Sequence, residues 1–391
     1  MKKFFKQKLF WGGFVGILLA VFIFTFAFMG STVNPTLKEM PLAVVVQDEG
    51  VTLPNGQKMN FGKILEDQLK KNEKASIDWT FLNSREGAVQ GMNEKEYYAA
   101  IVIPGDLSQN IFSLLSEKPM QPEVEIFINE GMNMTGATMA DQVTSGILSN
   151  FNQQVQQNLY GQIDRAQSTM SVEQSKILSQ PVQVRKEKLN QAGSHTANGN
   201  TPALFTQILW ITTFISSMII YTVIKKLEPG KWNFSAILSQ LLGGLVFVAS
   251  ICGLVLWLTE GVLDVAITNN GEMFMLLLFT GLIFFFIQGA LLNWIGYAAA
   301  PLIILLLFFA MPILTLPPEV LPDITRDWLY SWIPFRFSVE AFKDVLFFGS
   351  NPLENGIGVL GYTGLAGFLL MLSAVFKPER KAADQNSIST D

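Results

Sequence analysis

The chain has 391 residues, 49% of them hydrophobic and only 15% charged, where soluble globular proteins carry about 25% charged residues. Its charges crowd into residues 33–202 and a few short loops, which implies membrane spans plus an aqueous domain. A net charge of −5 argues against a nucleic-acid partner, and a single cysteine (Cys252) with a single histidine (His195) excludes a disulfide framework and a Cys/His zinc set.

Lys2, Lys3, Lys6 and Lys8 precede the apolar run Leu9–Gly30. That run exceeds the roughly 7–15 residues of a signal-peptide core, so it reads as an uncleaved signal anchor. Gly12 and Gly16 within it form a small-xxx-small pair, a motif that lets helices approach closely.

Residues 41–130 alternate strand and helix signals. Leu42–Val46 is a β-branched run bounded by Pro41 and Asp48-Glu49-Gly50, as in a buried strand. Phe61–Lys71 carries apolar residues at helical spacing, and Ile77, Trp79 and Phe81 alternate with polar partners. A helix over Arg85–Glu96, a buried strand over Ala99–Ile103, a short helix over Leu107–Leu115 and an alternating strand through Val124, Ile126 and Ile128 complete a small α/β domain. From Thr138 to Leu178 the residues Leu148, Phe151, Val155, Leu159, Ile163, Ala166 and Met170 form one helical stripe, on one long helix or two broken near Ser171. The stripe fits a stalk packed on the α/β unit, or a surface for a partner or lipophilic substrate. Asn190–Pro202, with Gly193 and Gly199, reads as a linker, and His195 in it as a solvated residue.

A helix needs about 20 mostly apolar residues to cross the hydrocarbon. Five further runs approach or meet this: Ala203–Ile224, Ala236–Leu258, Met273–Leu292, Ala298–Leu316 and Gly356–Phe376. The expected architecture is therefore an α-helical polytopic membrane protein with six transmembrane helices, and an α/β domain with a helical stalk inserted between the first two. Its segments are 1–32 (basic N-terminus and first helix), 33–202, 203–376 with an interfacial segment at 317–355, and the tail 377–391. Lys225, Lys226 and Lys231 fall between the second and third spans, and Lys377, Arg380 and Lys381 follow the last. The loop Thr259–Glu272 holds Glu260, Asp264 and Glu272 without a basic residue. Lys/Arg bias then puts both termini in the cytoplasm and 33–202 outside the cell.

No span contains Asp, Glu, Lys or Arg in its interior; only Gln207, Gln240, Gln288, Asn293 and hydroxyls are polar there. Ion-coupled carriers usually retain ionisable residues at membrane depth, so a self-powered carrier is disfavoured. The chain also lacks a G-x-x-x-x-G-K-[ST] phosphate loop, a G-x-S-x-G elbow and an H-E-x-x-H pair. It is expected to be no enzyme and to need no cofactor or metal. Gly358, Gly361, Gly364 and Gly367 line the last span and point to close packing.

Leu316–Asn355 opens with Pro317-Pro318-Glu319-Val320-Leu321-Pro322 and continues through Trp328-Leu329-Tyr330-Ser331-Trp332-Ile333-Pro334. An amphipathic helix is expected over Arg336–Phe348. Phe335, Val339, Phe342, Val345 and Leu346 share one face, and Arg336, Glu340, Lys343 and Asp344 the other. Aromatics beside prolines at a span end suit the headgroup region, so Pro334, Arg336, Glu340 and Lys343 mark a segment expected in, or dipping into, the outer interface. Arg336 and Glu340 stand at i, i+4, where an ion pair adds a few tenths of a kcal/mol.

This layout, with the motif Leu329–Phe342, resembles permeases of the ABC-2 type. The large insertion carrying Tyr97-Tyr98-Ala99-Ala100-Ile101-Val102-Ile103-Pro104-Gly105-Asp106-Leu107-Ser108 is similar to the subgroup related to phage infection protein (YhgE/Pip-like). The resemblance implies a permease half in the bacterial cell membrane. Two such subunits, identical or not, would form the pathway for a hydrophobic cargo, with separate ABC ATPase subunits on the cytoplasmic face. Contact would fall on the basic N-terminus and the loop Lys225–Asn233, through Lys225, Lys226, Lys231 and Trp232. The implied function is export of a hydrophobic or amphipathic compound (drug, lipid, peptide or envelope precursor). The alternative is a non-transporting scaffold or receptor whose ectodomain binds a protein partner or secretion apparatus.

Overall fold

The computed structural model describes residues 37–53, 56, 58–71, 76–116, 118–166, 172–228, 232–351 and 357–377, together with 11, 14, 15, 18, 19, 21, 22 and 25. Most of the first expected span, Gly12 and Gly16 included, lies outside the described residues, as do the lysines at 2–8, Met170, Lys231, Arg380 and Lys381. The chain divides into two compact units, 36–192 and 1–35 with 193–391.

The first unit runs β1 (Met40–Val46), β2 (Val51–Thr52), β3 (Lys58–Met59), α1 (Phe61–Lys71), β4 (Ile77–Leu82), α2 (Arg85–Asn93), β5 (Ala99–Ile103), α3 (Leu107–Ser113), β6 (Glu123–Asn129), α4 (Met134–Ala166), α5 (Val172–Ser179) and β7 (Gln183–Leu189). Five strands form one sheet in the order β4-β1-β5-β6-β7, and β2 pairs with β3 in a hairpin. β1 lies parallel to both β4 and β5, so that Leu42 stands beside Trp79 and Ala99. β6 is antiparallel to β5, and β7 parallel to β6.

The continuous apolar character of β1 and β5 follows from burial on both faces. Leu42, Val44, Ile101 and Ile103 face a core with Phe61, Leu65, Leu107 and Phe151 from α1, α3 and α4. Ala43, Val45, Ala100 and Val102 face Ala88 and Met92 of α2. The α4 stripe is part of the first of these cores: Leu148, Phe151, Val155 and Leu159 are at most 1% exposed. Of its two readings, the packed stalk is therefore the one realised over these residues.

Local chemistry starts the helices. Ser84 is the N-cap of α2, its hydroxyl accepting from Gly87 N at 3.0 Å. Loss of such a cap costs about 1 kcal/mol. Ser84→Ala should lower the opening free energy of the α2 amides by that amount, read by hydrogen exchange on the full chain.

β7 was not expected from the apolar pattern. It is a charged edge strand on which Arg185 pairs with Glu123 at 2.9 Å and also with Glu125, while Arg85 reaches Glu125 at 2.8 Å. On the opposite face Lys186 meets Asp141 at 2.5 Å and Lys188 meets Glu130 at 2.7 Å. The hydrogen bond to Glu130, and its charge, hold the Lys188 ammonium above the ordinary lysine range. Charged edges of this kind discourage pairing with another chain.

The second unit contains α6 (Thr201–Leu227), α7 (Phe234–Gly261), α8 (Asn270–Ile295), a 3-10 turn at Gly296–Ala298, α9 (Ala299–Thr315), α10 (Pro334–Lys343) and α11 (Ile357–Leu372). Among the described residues four continuous helical stretches are long and apolar enough to cross a membrane: Thr201–Leu227, Phe234–Gly261, Asn270–Thr315 and Ile357–Phe376. The third has 46 residues. At about 1.5 Å per residue it would be roughly twice the hydrocarbon thickness if straight. It is two α-helices joined at Gly296, whose φ of +69° ends α8. Asn233 and Asn269 cap α7 and α8, accepting from Ala236 N at 2.7 Å and Glu272 N at 3.2 Å.

α8 is the packing centre of this unit, in contact with α6, α7 and α11. Glycines permit the close approach. A Cβ on Gly281 would lie 2.7 Å from Val248 Cγ1 of α7, and one on Gly367 would lie 3.1 Å from Ile287 of α8.

Candidate functional site

The apolar interior of the second unit contains a line of polar groups. On α6, Thr206, Trp210, Thr213, Ser217 and Tyr221 follow one another at steps of four, three, four and four, which places them on one helix face. All are buried. On α8, Thr280, Phe284 and Gln288 are likewise four apart and fully buried.

Trp210 ties four helices together. Its indole N–H donates to Ile303 O of α9 at 3.1 Å, and its ring meets Phe284 of α8 and Phe335 of α10 edge-on, at 5.1 and 4.5 Å. Gln288 Nε2 donates to Trp210 O at 2.9 Å. Towards the start of α6, Thr206 and Ser338 share a hydroxyl–hydroxyl bond of 2.9 Å. Between α7 and α8, Gln240 and Asn293 exchange two amide bonds of 2.9 and 3.2 Å. Atoms in this interior without a protein partner include Ser217 Oγ, Thr280 Oγ1, Gln288 Oε1 and Trp232 Nε1.

The residues expected to meet an ATPase sit at the end of this line. Lys225 and Lys226 occupy the last turn of α6. Lys226 is exposed, and the Lys225 ammonium stands 5.9 Å from the Tyr221 ring centre. Lys231 lies outside the described residues. Trp232 does not project from the loop: it is 5% exposed and packs against Tyr221, ring centres 6.0 Å apart. Lys377, read from sequence only as a topology signal, caps α8 by donating to Asn293 O at 2.9 Å and Trp294 O at 2.6 Å.

The other expected segment forms α10. Pro334 occupies its first turn, as proline favours. The face made by Phe335, Val339, Phe342 and Val345 is at most 5% exposed and is covered by protein, while Asp344, expected on the polar face, is 0% exposed. Phe342, for example, meets Phe205 of α6 edge-on at 5.5 Å. Glu340 takes its hydrogen bond from Lys343 at 2.8 Å, and Arg336 lies over Tyr330 and Phe337 at 4.4 and 5.0 Å. The large apolar residues left outward in this segment are Ile324, Trp328 and Trp332, again four apart and 79%, 78% and 56% exposed.

The description of an ABC-2 family transporter protein matches residues 8–376, nearly the whole chain. The chain belongs to this family. Membership, with the apolar helices, makes it a multi-pass membrane transporter protein, and places the α6–α8 line inside the membrane part. The chain is also 31% identical over 127 residues to the ESX secretion system protein YueB of Bacillus subtilis (strain 168). That match covers 30% of this chain and 11% of YueB. No solved structure matches the chain.

Proposed function

We propose that the chain is the permease half of an exporter for a hydrophobic or amphipathic compound, driven by a separate ABC ATPase. The supporting observation is the family match over residues 8–376, in a chain whose apolar helices hold no Asp, Glu, Lys, Arg or His in their interiors. Such a chain has no phosphate loop, so the energy for uphill movement comes from a partner. Lys/Arg bias favours six spans with both termini cytoplasmic and 33–202 outside. The cytoplasmic contact then includes the end of α6. Purification from native membranes should bring down an ABC ATPase whose hydrolysis rises with cargo; persistent absence of any ATPase removes the main support.

Reversing Lys225 and Lys226 to glutamate is expected to weaken ATPase association by at least about tenfold, since close charge pairs at interfaces are worth about 1.4 kcal/mol or more. Melting of the purified permease should fall only slightly, since the lost Lys225–Tyr221 contact and the unfavourable charge at the end of α6 are each worth about 1 kcal/mol or less. Binding is read by titration of the ATPase against detergent-solubilised wild type and variant.

A second reading is favoured by the similarity to YueB, whose name assigns it to an ESX secretion system. Under it the chain is a scaffold or receptor acting through residues 41–190. Deleting those residues would then abolish function while the Lys225/Lys226 reversal stays silent. The exporter reading gives a defect for the reversal.

A further inference from the structure

Of the buried side-chain atoms of the second unit that lack a partner, three lie in a pattern; Trp232 Nε1, beside Tyr221, is another. Thr280, Phe284 and Gln288 share one face of α8. The Phe284 ring and the Gln288 amide both touch Trp210, so that face is turned to α6. Ser217 lies two turns beyond Trp210 on the face of α6 that carries Thr213 and Tyr221. The two helices run in the same direction, since Leu209 lies near Gly281 and Tyr221 near Gly296. Ser217 Oγ, Thr280 Oγ1 and Gln288 Oε1 therefore belong to one seam, and each side chain is 0% exposed.

Hydroxyls in apolar helices usually satisfy themselves on the carbonyl one turn back. Thr206, Thr213 and Thr222 of α6 do so at 2.7–3.0 Å, as does Thr363 of α11 at 2.8 Å. Ser217 and Thr280 do not. A buried polar atom without a partner is costly, and native structures seldom keep one without water or a function to serve it. Three on one seam, beside threonines that satisfy themselves, mark a surface that is served in another state of the protein.

We propose that the α6–α8 seam opens to water during the working cycle and that Thr280, Gln288 and Ser217, spread over more than two helical turns, take in succession the uncharged hydrogen-bonding group of an amphipathic compound moving along it. The proposal rests on the exporter reading and names its substrate chemistry. The partners available are two hydroxyls and an amide oxygen, so the ligand group is a neutral donor such as an amide or hydroxyl. A carboxylate or ammonium would meet no counter-charge in the seam, since both helices lack charged residues along this stretch.

The test uses the full chain in native membranes with Cys252→Ala as background, carrying Ser217→Cys, Thr280→Cys or, as a lipid-facing control, Ile215→Cys (Ile215 is 51% exposed). The probe is a small polar methanethiosulfonate, which reacts with thiolate and therefore requires water at the site. Ser217→Cys and Thr280→Cys should react at least about tenfold faster than Ile215→Cys, as thiolate forms in water and not in lipid. Dodecanamide should slow that reaction, while dodecyl sulfate and dodecyltrimethylammonium of equal chain length should not. Adding Gln288→Leu should remove the protection. Labelling no faster than the control, protection by the charged amphiphiles as well, or no protection at all overturns the proposal. The measurement needs no ATPase, so its failure is separate from failure of the exporter reading, which the co-purification decides.

Discussion

Asp48→Ala is expected to destabilise the α/β unit by about 3–5 kcal/mol, because one carboxylate holds two helix starts together. Asp48 follows β1 at the C-terminal end of the parallel strands β4, β1 and β5. β1 connects first to β4 on one side and then to β5 on the other, which makes the crevice beside it the switch point where open α/β sheets hold anions. Here the protein's own carboxylate occupies it. Asp48 Oδ1 accepts from Ser108 N at 3.0 Å and Gly50 N at 3.2 Å, and Oδ2 accepts from Gly62 N at 2.9 Å and the Ser108 hydroxyl at 2.5 Å. The Ser108 hydroxyl in turn accepts from Phe61 N at 2.8 Å. The first turns of α1 and α3 are thus satisfied through one side chain, with the favourable sign of charge at a helix N-terminus.

Alanine would leave those donors buried without an acceptor, the costly direction of hydrogen-bond loss. Asp48→Asn keeps one oxygen and the shape, and should lose about half as much. The geometry is tight as well: a Cβ on Gly62 would come within 2.6 Å of Asp48 Cβ. Hydrogen exchange at β1 and β5 in the purified full chain reads the loss. If both variants protect those amides as wild type does, the carboxylate is not the joint described.

How far the sequence reveals this architecture depends on what kind of signal each element leaves. β1 and β5 were legible because both faces are buried and the residues run apolar without interruption. β7 was not, because its period of two is written in charge: Arg185 and Glu187 on one face, Lys186 and Lys188 on the other. The two-residue strands of the β2–β3 hairpin leave no periodic signal at all. The five apolar runs after residue 200 were legible from length, with ends within about four residues of the described helices.

The partners of polar residues were not legible. Gln240, Gln288 and Asn293 stand out in apolar runs, yet nothing in spacing says that Gln240 pairs with Asn293 while Gln288 keeps one oxygen unpaired. Amphipathic pattern identified the apolar face of α10, but it carried the helix on to Phe348, where the α-helix ends at Lys343, and it put the fully buried Asp344 on the wet face. Trp232 was assigned to a contact surface by the family resemblance, and its ring is packed against Tyr221.

Gly364→Val is the second large effect, and the glycines of α11 supply their own control. A Cβ on Gly364 would stand 2.4 Å from Ile283 Cγ1 and 3.3 Å from Ile283 Cβ. Those atoms lie close to the α8 backbone, so rotation of a chain end offers little relief. On the other side of α8, a Cβ on Gly244 of α7 would fall 2.3 Å from the rigid Phe285 ring. α8 is held between two neighbours at glycine distance, with no slack to move away from either. Overpacking a dense interior costs about 1–3 kcal/mol at one site; Gly364→Val should reach the upper end, and with Gly244→Val the protein should fail to fold. Gly358→Ala meets nothing within 4 Å, and Gly361→Ala only Phe279 at 3.6 Å, so both should melt as wild type does. Four equally spaced glycines are alike in sequence, but only Gly364 and Gly367 approach α8 tightly. Thermal melting of the purified variants in one detergent separates the pairs. Equal melting of Gly364→Val and Gly358→Ala would mean that α11 does not pack on α8 through these residues.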